Sequence, residues 1–335
     1  MRSTIRDVAR ASGVHISTVS RTFSAPHMVN PETRSRVLAT AASLGYRPNR
    51  AARALITGRT GNVGLIVADI ANPFFPPLIK AAESQARDRD YSIFVAETDE
   101  DPTVEENLVR ALAKQVDGVL LCSPRMSNDL IEKLSKEVPL VLINRSMPSL
   151  PCVLMDVSLG ARQAVDHLIE LGHSRVAILG GPRGSWTSRE IRKASVAACR
   201  QAGFEPIVLS PNQPTVDGGI AIAERVVQES ASAVVAYNDL MAIGVIEGLD
   251  SLGVRVPEDV SVIGFDDSTL ARISRPRLTT VSNPTLAAGR TAVDMLLQLS
   301  DDRRATGQVM LQTELIVRAS TNPATGSHGT PEEGR

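Results

Sequence analysis

Three side chains near the N-terminus combine an apolar group, a hydroxyl and a charge within one short stretch. Ile16, Ser17 and Arg21 recur at helical spacing in the run that begins at Thr4. A hydroxyl and a guanidinium can hydrogen-bond to base edges and phosphates of DNA, and an aliphatic side chain can contact a thymine methyl group. The chemistry available to this stretch is therefore recognition of double-stranded DNA.

Two short helices joined by a tight turn would position these side chains. Thr4 is a candidate N-cap, and Asp7 can complete a variant of the capping box. Gly13 would end the first helix, because glycine reaches left-handed backbone angles at little cost. A third helix would begin with Asn30 as its cap and Pro31 at its first position. This order predicts a three-helix, helix-turn-helix head whose second helix faces DNA.

Charge is distributed unevenly along the chain. Residues 1–60 contain ten arginines, no lysine and two acids, a formal charge of +8, whereas the whole chain carries −1, so residues 61–335 carry −9. A basic segment attached to an acidic body is typical of a domain that binds a polyanion. The plain alternative is a small, solvated helical cap, which the helix-turn-helix pattern disfavours.

The segment that follows the head, residues 48–60, is short and basic. Asn49 could cap a helix over residues 50–55, but so short a helix does not persist in isolation. Leu55 at its end has two interpretations: a linker leucine that touches the next domain, or a wedge between base steps in the minor groove. The segment is therefore predicted to be ordered only when something packs against it.

Composition places the rest of the chain among α/β proteins. Its 335 residues suffice for two or three domains, and 43% hydrophobic residues with only 3% aromatics suit a core of Ala, Val, Ile and Leu. Three scattered cysteines without a CxxC pair fit a reducing compartment. Since the chain opens without an apolar signal segment and holds no run of about 18 apolar residues, a soluble, cytoplasmic protein with no membrane partner is expected.

From residue 61 onward, short apolar runs alternate with amphipathic helical stretches. This alternation is the signature of parallel sheets flanked by helices. Residues 321–335 are polar and rich in Gly and Pro, and are expected to be disordered. Helices are predicted over 76–89, 104–114, 159–171 and 287–299, and strands over 63–67, 92–96, 118–121, 140–143, 176–179, 207–209, 233–236 and 261–265.

Several motifs along the chain resemble one known family. The motifs are TIRDVARASGV and STVSR in the head, RVLATAASLGYRPNRAARAL from the end of the head into the segment that follows it, and GLIVADIANPFF, YNDLMAIGV and VPEDVSVIGFDD in the body. They are similar to the lactose-repressor (LacI/GalR) family of bacterial transcription regulators. The resemblance covers residues 3–320. It implies an α/β fold in which a helix-turn-helix head and a hinge helix precede a two-lobed, periplasmic-binding-protein-like (type I) domain. The implied boundaries are 1–47 for the DNA-binding domain, 48–60 for the hinge helix and linker, 61–320 for the effector-binding and dimerisation domain (lobe one about 61–158 and 287–317, lobe two about 159–286 and 318–320) and 321–335 for the tail.

Carried over position by position, the resemblance implies which residues contact DNA. Ile16 and Ser17 match the positions that read base edges, and Ala52 and Leu55 match the minor-groove positions. His15 stands where the family more often has a serine cap. Simple helix capping is the alternative for several of the polar residues. The implied contacts are Thr4, His15, Ile16, Ser17, Thr18, Ser20, Arg21, Asn30, Asn49, Arg50, Ala52, Arg53 and Leu55.

The resemblance also implies an effector pocket in the cleft between the lobes, at the carboxyl ends of strands. Amide, carboxylate and guanidinium groups in one cleft suit a hydroxyl-rich ligand, whose orientation hydrogen bonds would fix. Ordinary packing is the alternative for either phenylalanine, and a surface position is the alternative for the single tryptophan, which is expected in a loop. The implied contacts are Asn72, Phe74, Phe75, Arg145, Trp186, Arg189, Asn238, Asp239 and Asp266.

Three positions depart from the family's pattern. Val157 stands where an asparagine is usual, Ile191 where an effector-binding arginine is usual, and Pro214 near the position of a stacking aromatic. These departures predict a ligand other than a common sugar, or no ligand at all.

The favoured hypothesis is a sequence-specific transcriptional regulator, a repressor, that binds a pseudo-palindromic DNA operator as a homodimer under the control of a small-molecule effector. A tetramer is an alternative assembly, although the C-terminal residues contain no heptad repeat. The alternatives are a ligand-binding module in transport and an α/β enzyme such as a sugar kinase or hydrolase. No catalytic residue, metal site or cofactor is predicted: the GGPRG loop at 180–184 lacks a phosphate-loop pattern, GxSxG is absent, and His167 and His173 lack a third metal ligand.

Overall fold

The N-terminal residues form a small helical head. The computed structural model describes residues 3–46, 58–210, 212–301 and 307–324, and the chain divides into two compact units after Gly61. As predicted, Gly13 ends the first helix with a left-handed φ of +66°. The head comprises α1 Ile5–Ser12, α2 Ile16–Ser24, a 3-10 turn Pro26–Met28 and α3 Pro31–Ser43, around a core of Val8, Ala9, Val19, Val37 and Ala41.

The second unit contains two six-stranded sheets, each the centre of one lobe. The sheet of lobe one is entirely parallel, and the sheet of lobe two is parallel except that β12 pairs antiparallel with β10. Lobe one contains β1 Asn62–Val67, β2 Ser92–Glu97, β3 Gly118–Cys122, β4 Leu140–Ile143, β5 Cys152–Met155 and β11 Gln308–Leu311, in the order β11-β5-β4-β3-β1-β2. Lobe two contains β6 Val176–Leu179, β7 Ile207–Leu209, β8 Ala233–Val235, β9 Ser261–Asp266, β10 Thr279–Ser282 and β12 Glu314–Ile316, in the order β12-β10-β9-β8-β6-β7.

Helices cover both faces of each sheet, which explains why the central strands are continuous apolar runs rather than alternating ones. β3, β4 and β6 are buried along their whole length. The helices of the second unit are α4 Phe75–Asp88, α5 Pro102–Leu112, α6 Asn128–Ser135, α7 Val157–Glu170, α8 Trp186–Gln201, α9 Val216–Gln228, α10 Asp239–Ser251, α11 Thr269–Ile273 and α12 Thr285–Asp301.

The eight strands expected from apolar runs are all present, and the α/β fold is confirmed. Four further strands, β5 and β10–β12, were not expected. The chain passes between the lobes before β6, after β10 and again before β12, which joins the sheet of lobe two at Glu314, earlier than the expected boundary at 318. In the described parts of the chain, no helix is long and apolar enough to cross a membrane.

Candidate functional site

The second helix of the head turns one face inward and one face to solvent. Val19 and Thr22 are buried in the head, and Thr18 is half-buried. The opposite face is exposed, including an isoleucine with 39% of its surface accessible. An apolar side chain beside hydroxyls and a guanidinium on the N-terminal part of a helix is equipped to contact base edges. The exposed residues of this face are Ile16, Ser17, Ser20 and Arg21.

Three of the expected DNA contacts cap helices of the head. The carboxylate of Asp7 accepts hydrogen bonds from the backbone N–H and the hydroxyl of Thr4, at 2.9 and 2.7 Å. His15 Nδ1 accepts one from the backbone N–H of Ser17 at 3.3 Å, and Asn30 Oδ1 accepts one from the N–H two residues later at 2.9 Å. Capping leaves these side chains on the surface of the head. Asn49, Arg50, Ala52, Arg53 and Leu55 lie outside the described residues.

The cleft between the two lobes holds a pocket at the carboxyl ends of strands from both sheets. It is open to solvent, and about 480 Å³ of space not filled by protein atoms, open solvent included, lies among its lining residues. Lobe one contributes residues that follow β1, β2, β3, β4 and β5, and lobe two contributes α8 and residues at or after the ends of β7, β8, β9 and β10. The pocket is lined by Asn72, Phe74, Phe75, Glu100, Ser123, Arg125, Asn144, Val157, Thr187, Ile191, Pro214, Tyr237, Asn238, Phe265, Asp266 and Asn283.

Many of the predicted effector contacts meet in this pocket. Five of them line it, and so do the three residues that depart from the family's pattern. Where the resemblance leads one to expect an asparagine and an arginine, the wall is therefore aliphatic. The predicted residues in the lining are Asn72, Phe74, Phe75, Asn238 and Asp266, together with Val157, Ile191 and Pro214.

A pair of acceptor oxygens lies at the lobe-two side of the pocket. The Oδ1 atom of Asp266 accepts a hydrogen bond from Asn283 Nδ2 at 3.2 Å. Asn283 Oδ1 is buried and has no hydrogen-bond partner among the described residues. Burial, followed by the nearby charge of Asp239, raises the pKa of Asp266 well above its ordinary value. Because an unpaired buried acceptor is costly, this corner of the pocket favours a ligand that donates hydrogen bonds.

A buried ion pair lies at the lobe-one side. The guanidinium of Arg125 forms a bidentate pair with the carboxylate of Glu100, and Nη1 also donates to the backbone carbonyl of Ser123 at 2.7 Å. Only 5% of the Arg125 side chain is exposed. Behind it, Glu105 Oε2 accepts hydrogen bonds from the backbone N–H groups of Arg125 and Met126, at 2.9 and 3.0 Å. The positive charge in the pocket is thus already compensated, which disfavours an anionic ligand.

Four predicted contacts lie outside the lining. Asp239 is buried beneath the pocket, where it accepts hydrogen bonds from Thr280 Oγ1 and the backbone N–H of Ser268, at 2.5 and 2.7 Å. Burial raises the pKa of Asp239 to about 6, while these hydrogen bonds lower it. The side chain therefore joins α10 to β10. The other three residues outside the lining are Arg145, Trp186 and Arg189.

These three residues lie outside the lining for different reasons. Arg145 is buried and bonded to lobe-one loops. Trp186 is the first residue of α8 rather than a loop residue, and it is half-buried against apolar clusters. Arg189 is exposed on α8, whereas Thr187 and Ile191 of the same helix turn toward the pocket. Side chains two positions apart on an α-helix point in different directions, so Thr187 and Ile191 reach the pocket while Arg189 does not.

Backbone conformation marks the pocket independently of side-chain type. Four lining residues have positive φ angles, a region of backbone conformation that residues other than glycine rarely adopt. They are Glu100, Ser123, Asn144 and Asp266, at 63°, 55°, 56° and 124°. Such outliers cluster at functional sites, where the surrounding structure holds them. The lining residues that were not predicted are Glu100, Ser123, Arg125, Asn144, Thr187, Tyr237, Phe265 and Asn283.

Tyr237 lines the pocket although it was not predicted to, and its position depends on a glycine in the sequence. The ring of Tyr237 lies directly over Gly181, where a Cβ would approach the ring to 2.6 Å. The Tyr237 hydroxyl also lies 3.3 Å from Ser185 Oγ. The GGPRG loop, which does not match a phosphate loop, thus serves to admit an aromatic ring at the edge of the pocket. Among the described residues, no group of three His, Cys, Asp or Glu could hold a metal ion.

Comparisons with known proteins agree on the type of protein. The family model for bacterial regulatory proteins, lacI family, matches residues 4–49, and the model for a periplasmic binding protein-like domain matches residues 165–321. The HTH-type transcriptional regulator DegA of Bacillus subtilis is 33% identical, over 96% of this chain and 99% of the relative. Catabolite control protein A of Priestia megaterium is 35% identical, over 96% of this chain and 100% of the relative.

The fold matches that of a solved regulator. A crystal structure of the lac repressor dimer bound to operator and the anti-inducer ONPF superposes with a TM-score of 0.86 at 27% identity, covering 96% of this chain and 100% of that one. A helix-turn-helix head joined to a two-lobed ligand-binding body defines a DNA-binding transcriptional regulator with an effector-binding domain. The chain belongs to the LacI family of bacterial transcriptional regulators.

Proposed function

We propose that the chain represses transcription by binding a pseudo-palindromic operator as a homodimer, with Ile16 and Ser17 in contact with base edges. The observation that carries this proposal is the exposed face of α2 within an N-terminal segment, residues 1–60, of formal charge +8. Two copies related by a two-fold axis would contact the two halves of such an operator. The lac repressor, solved as a dimer on its operator, offers the analogy for this assembly.

Selection of bound fragments from genomic DNA tests the DNA contacts. The wild-type chain should enrich a two-fold symmetric sequence. Exchange of Ile16 and Ser17 for other residues should change the preferred bases in both half-sites, with each altered contact worth about 1–3 kcal/mol of discrimination. Ser35→Ala, on the exposed surface of α3, is the matched control and should leave the preference unchanged. Identical preferences for all three proteins would reject these base contacts.

We also propose that a small, hydroxyl-rich molecule binds the pocket and changes operator affinity through the angle between the lobes. The acceptor pair of Asp266 and Asn283 supports a ligand that donates hydrogen bonds, and the position of the pocket between the lobes supports control by closure. A ligand can shift this equilibrium only by binding one lobe arrangement more tightly than the other.

A thermal-shift screen of sugars, sugar alcohols and nucleosides tests the ligand class. Each compound that raises the melting temperature is then tested for its effect on DNA binding. Asp266→Asn should abolish both responses, since the amide cannot offer two acceptor oxygens. Asp88→Asn, the same exchange at an exposed position on α4, is the matched control and should preserve both responses. Full retention of both responses by Asp266→Asn would exclude this carboxyl from the ligand site.

We further propose that the pocket binds its ligand without converting it, and that the protein acts in the cytoplasm, where its operator lies. The known relatives are named as transcriptional regulators, and the carboxylate of Glu100 is engaged by Arg125. Incubation of any identified ligand with the protein should return it unchanged by mass spectrometry. Cell fractionation should recover the protein outside the membrane fraction.

A further inference from the structure

Arg145 lies at the carboxyl end of β4 and forms hydrogen bonds within lobe one. Its Nε and Nη2 atoms donate to Asn128 Oδ1 at 3.2 and 2.6 Å, and Nη2 also donates to the carbonyl of Met126 at 3.3 Å. Only 5% of the residue is exposed. The loop before α6 and the end of β4 therefore hold the guanidinium in one orientation.

The remaining hydrogen bond of Arg145 crosses to the other lobe. Nη1 donates at 3.2 Å to the carbonyl of Gly184, in the loop between β6 and α8 of lobe two. Gly184 has a left-handed φ of +81°, and a Cβ there would lie 3.3 Å from the carbonyl oxygen of Arg125 in lobe one. The two backbones thus approach each other beside the guanidinium, at a place where glycine is the residue that fits.

Trp186 makes a second connection between the lobes two residues later. It opens α8 of lobe two, yet it packs against the apolar cluster of lobe one that includes Met126, Ile131 and Leu142. It also packs against the larger cluster that contains Ile191 of its own helix. Aromatic side chains bury large areas and contribute strongly to contacts of this kind. An apolar contact thus accompanies the hydrogen bond from Arg145.

One electrostatic interaction opposes the contact between the two lobes. Burial, followed by the positive charge of Arg189 on α8, lowers the pKa of Arg145. Arg189 belongs to lobe two and Arg145 to lobe one, and solvent screens the repulsion between them because Arg189 is exposed. Attraction through Gly184 and Trp186 opposes it.

We propose that Arg145, Gly184 and Trp186 form an interlobe clasp that sets the angle between the two lobes. The clasp adjoins the pocket, because Thr187 and Ile191 on the same helix line it. Arg145 and Trp186 are therefore positioning residues for the pocket wall rather than ligand contacts. A role of the clasp in regulation rests on the proposed effector function. The clasp itself concerns only the angle between the two lobes.

Tryptophan fluorescence of the full-length protein tests the clasp directly, because Trp186 is the single tryptophan of the chain. Arg145→Gln should shift its emission to longer wavelength and raise the acrylamide quenching constant about twofold, as the half-buried indole becomes accessible. Arg145→Lys can reach fewer acceptors and should give an intermediate value. Arg192→Gln, an exposed change on the same helix, is the matched control and should match the wild type.

A milder variant covers the case in which Arg145→Gln does not fold. Asn128→Ala removes the acceptor that orients the guanidinium from an exposed position, and should raise quenching in the same direction. Unchanged quenching in the folded variants, with only a lower melting temperature, would overturn the clasp and leave Arg145 as a brace within lobe one. The measurement uses neither DNA nor ligand, so its failure is distinguishable from failure of the proposed effector control.

Discussion

Asn283 Nδ2 donates to the Oδ1 atom of Asp266 at 3.2 Å, across the ends of β9 and β10 in the cleft. This contact orients a carboxyl group whose residue has an unfavourable backbone φ of +124°. Burial, followed by the charge of Asp239, also raises the pKa of this carboxyl well above its ordinary value. Strained and desolvated groups of this kind cluster at functional sites.

The first prediction is that Asp266→Asn stabilises the protein while removing its ligand response. A carboxyl whose folded-state pKa is raised contributes most stability below its ordinary pKa of about 3.9, and that contribution is lost as pH rises toward the folded-state value. Asparagine removes this loss, so the melting temperature at pH 8 should rise by about 2–4 °C for each kcal/mol recovered. The difference from wild type should shrink at pH 4. A variant less stable than wild type at pH 8 would contradict the prediction.

The second prediction concerns the buried ion pair of Arg125 and Glu100. Glu100→Gln should lower the free energy of unfolding by about 3–5 kcal/mol, because it leaves the buried guanidinium of Arg125 without its charged partner. Arg125→Met should cost less, because the side chain of Glu100 is 23% exposed. The double variant should lose less than the sum of the two. Urea denaturation of the four proteins gives this coupling energy.

An exposed pair elsewhere in the same lobed unit provides the control for that cycle. Arg200 and Glu205 form an ion pair at 2.8 Å, with 62% and 70% of their side chains exposed. Solvent screening should make its coupling energy much smaller than that of the pair of Arg125 and Glu100. Equal coupling in the two cycles would mean that burial in the cleft does not strengthen the pair of Arg125 and Glu100.

The third prediction is a loss of stability in mild acid that depends on His173. Its Nδ1 lies 2.9 Å from Ser232 Oγ, its Nε2 lies 3.0 Å from the carbonyl of Asn322, and burial lowers its pKa. The unfolded chain therefore binds the proton more readily, so stability is present above pH of about 6.5 and is lost as pH falls below it. The fall in melting temperature between pH 7.5 and 5 should be smaller for His173→Gln. The exposed His27→Gln should retain the wild-type fall, and an equal fall in His173→Gln would rule out this role.

The predicted strands are those whose apolar runs were recognised, including the partly exposed edge strands β2 and β7, whereas the buried run of β5 was missed. The eight expected strands include the central ones that helices cover on both faces, so their apolar runs were visible in the sequence. β10 reads Thr-Thr-Val-Ser, and the edge strands β11 and β12 are short and partly exposed. Such strands carry neither a continuous apolar run nor a clear alternation, so only their pairing reveals them.

The site was predictable where a residue follows a recognisable motif, and not where pairing between distant residues decides it. Asn72 and Asp266 sit in motifs that resemble the family and line the pocket. Arg125 meets Glu100 only because β3 and β2 flank β1, an order that local sequence does not contain. Arg145 was expected in the pocket, but the chain leaves β4 at Asn144 with a left-handed φ of 56°, and it is Asn144 that lines the pocket, while Arg145 bonds to Asn128 and Gly184.

The last prediction is that operator affinity depends steeply on salt and that Arg21 carries part of that dependence. Phosphate contacts release counterions, so the logarithm of the binding constant should fall linearly with the logarithm of salt concentration. Arg21 is exposed on the face of α2 that is proposed to meet DNA, and Arg21→Gln should reduce the slope by about 1 if it contacts one phosphate. Arg192→Gln removes the same charge from α8 in the body and should leave the slope unchanged. Fluorescence-anisotropy titrations of labelled operator at several salt concentrations give both slopes; equal reductions would show that net charge, rather than contact by the head, determines the salt dependence.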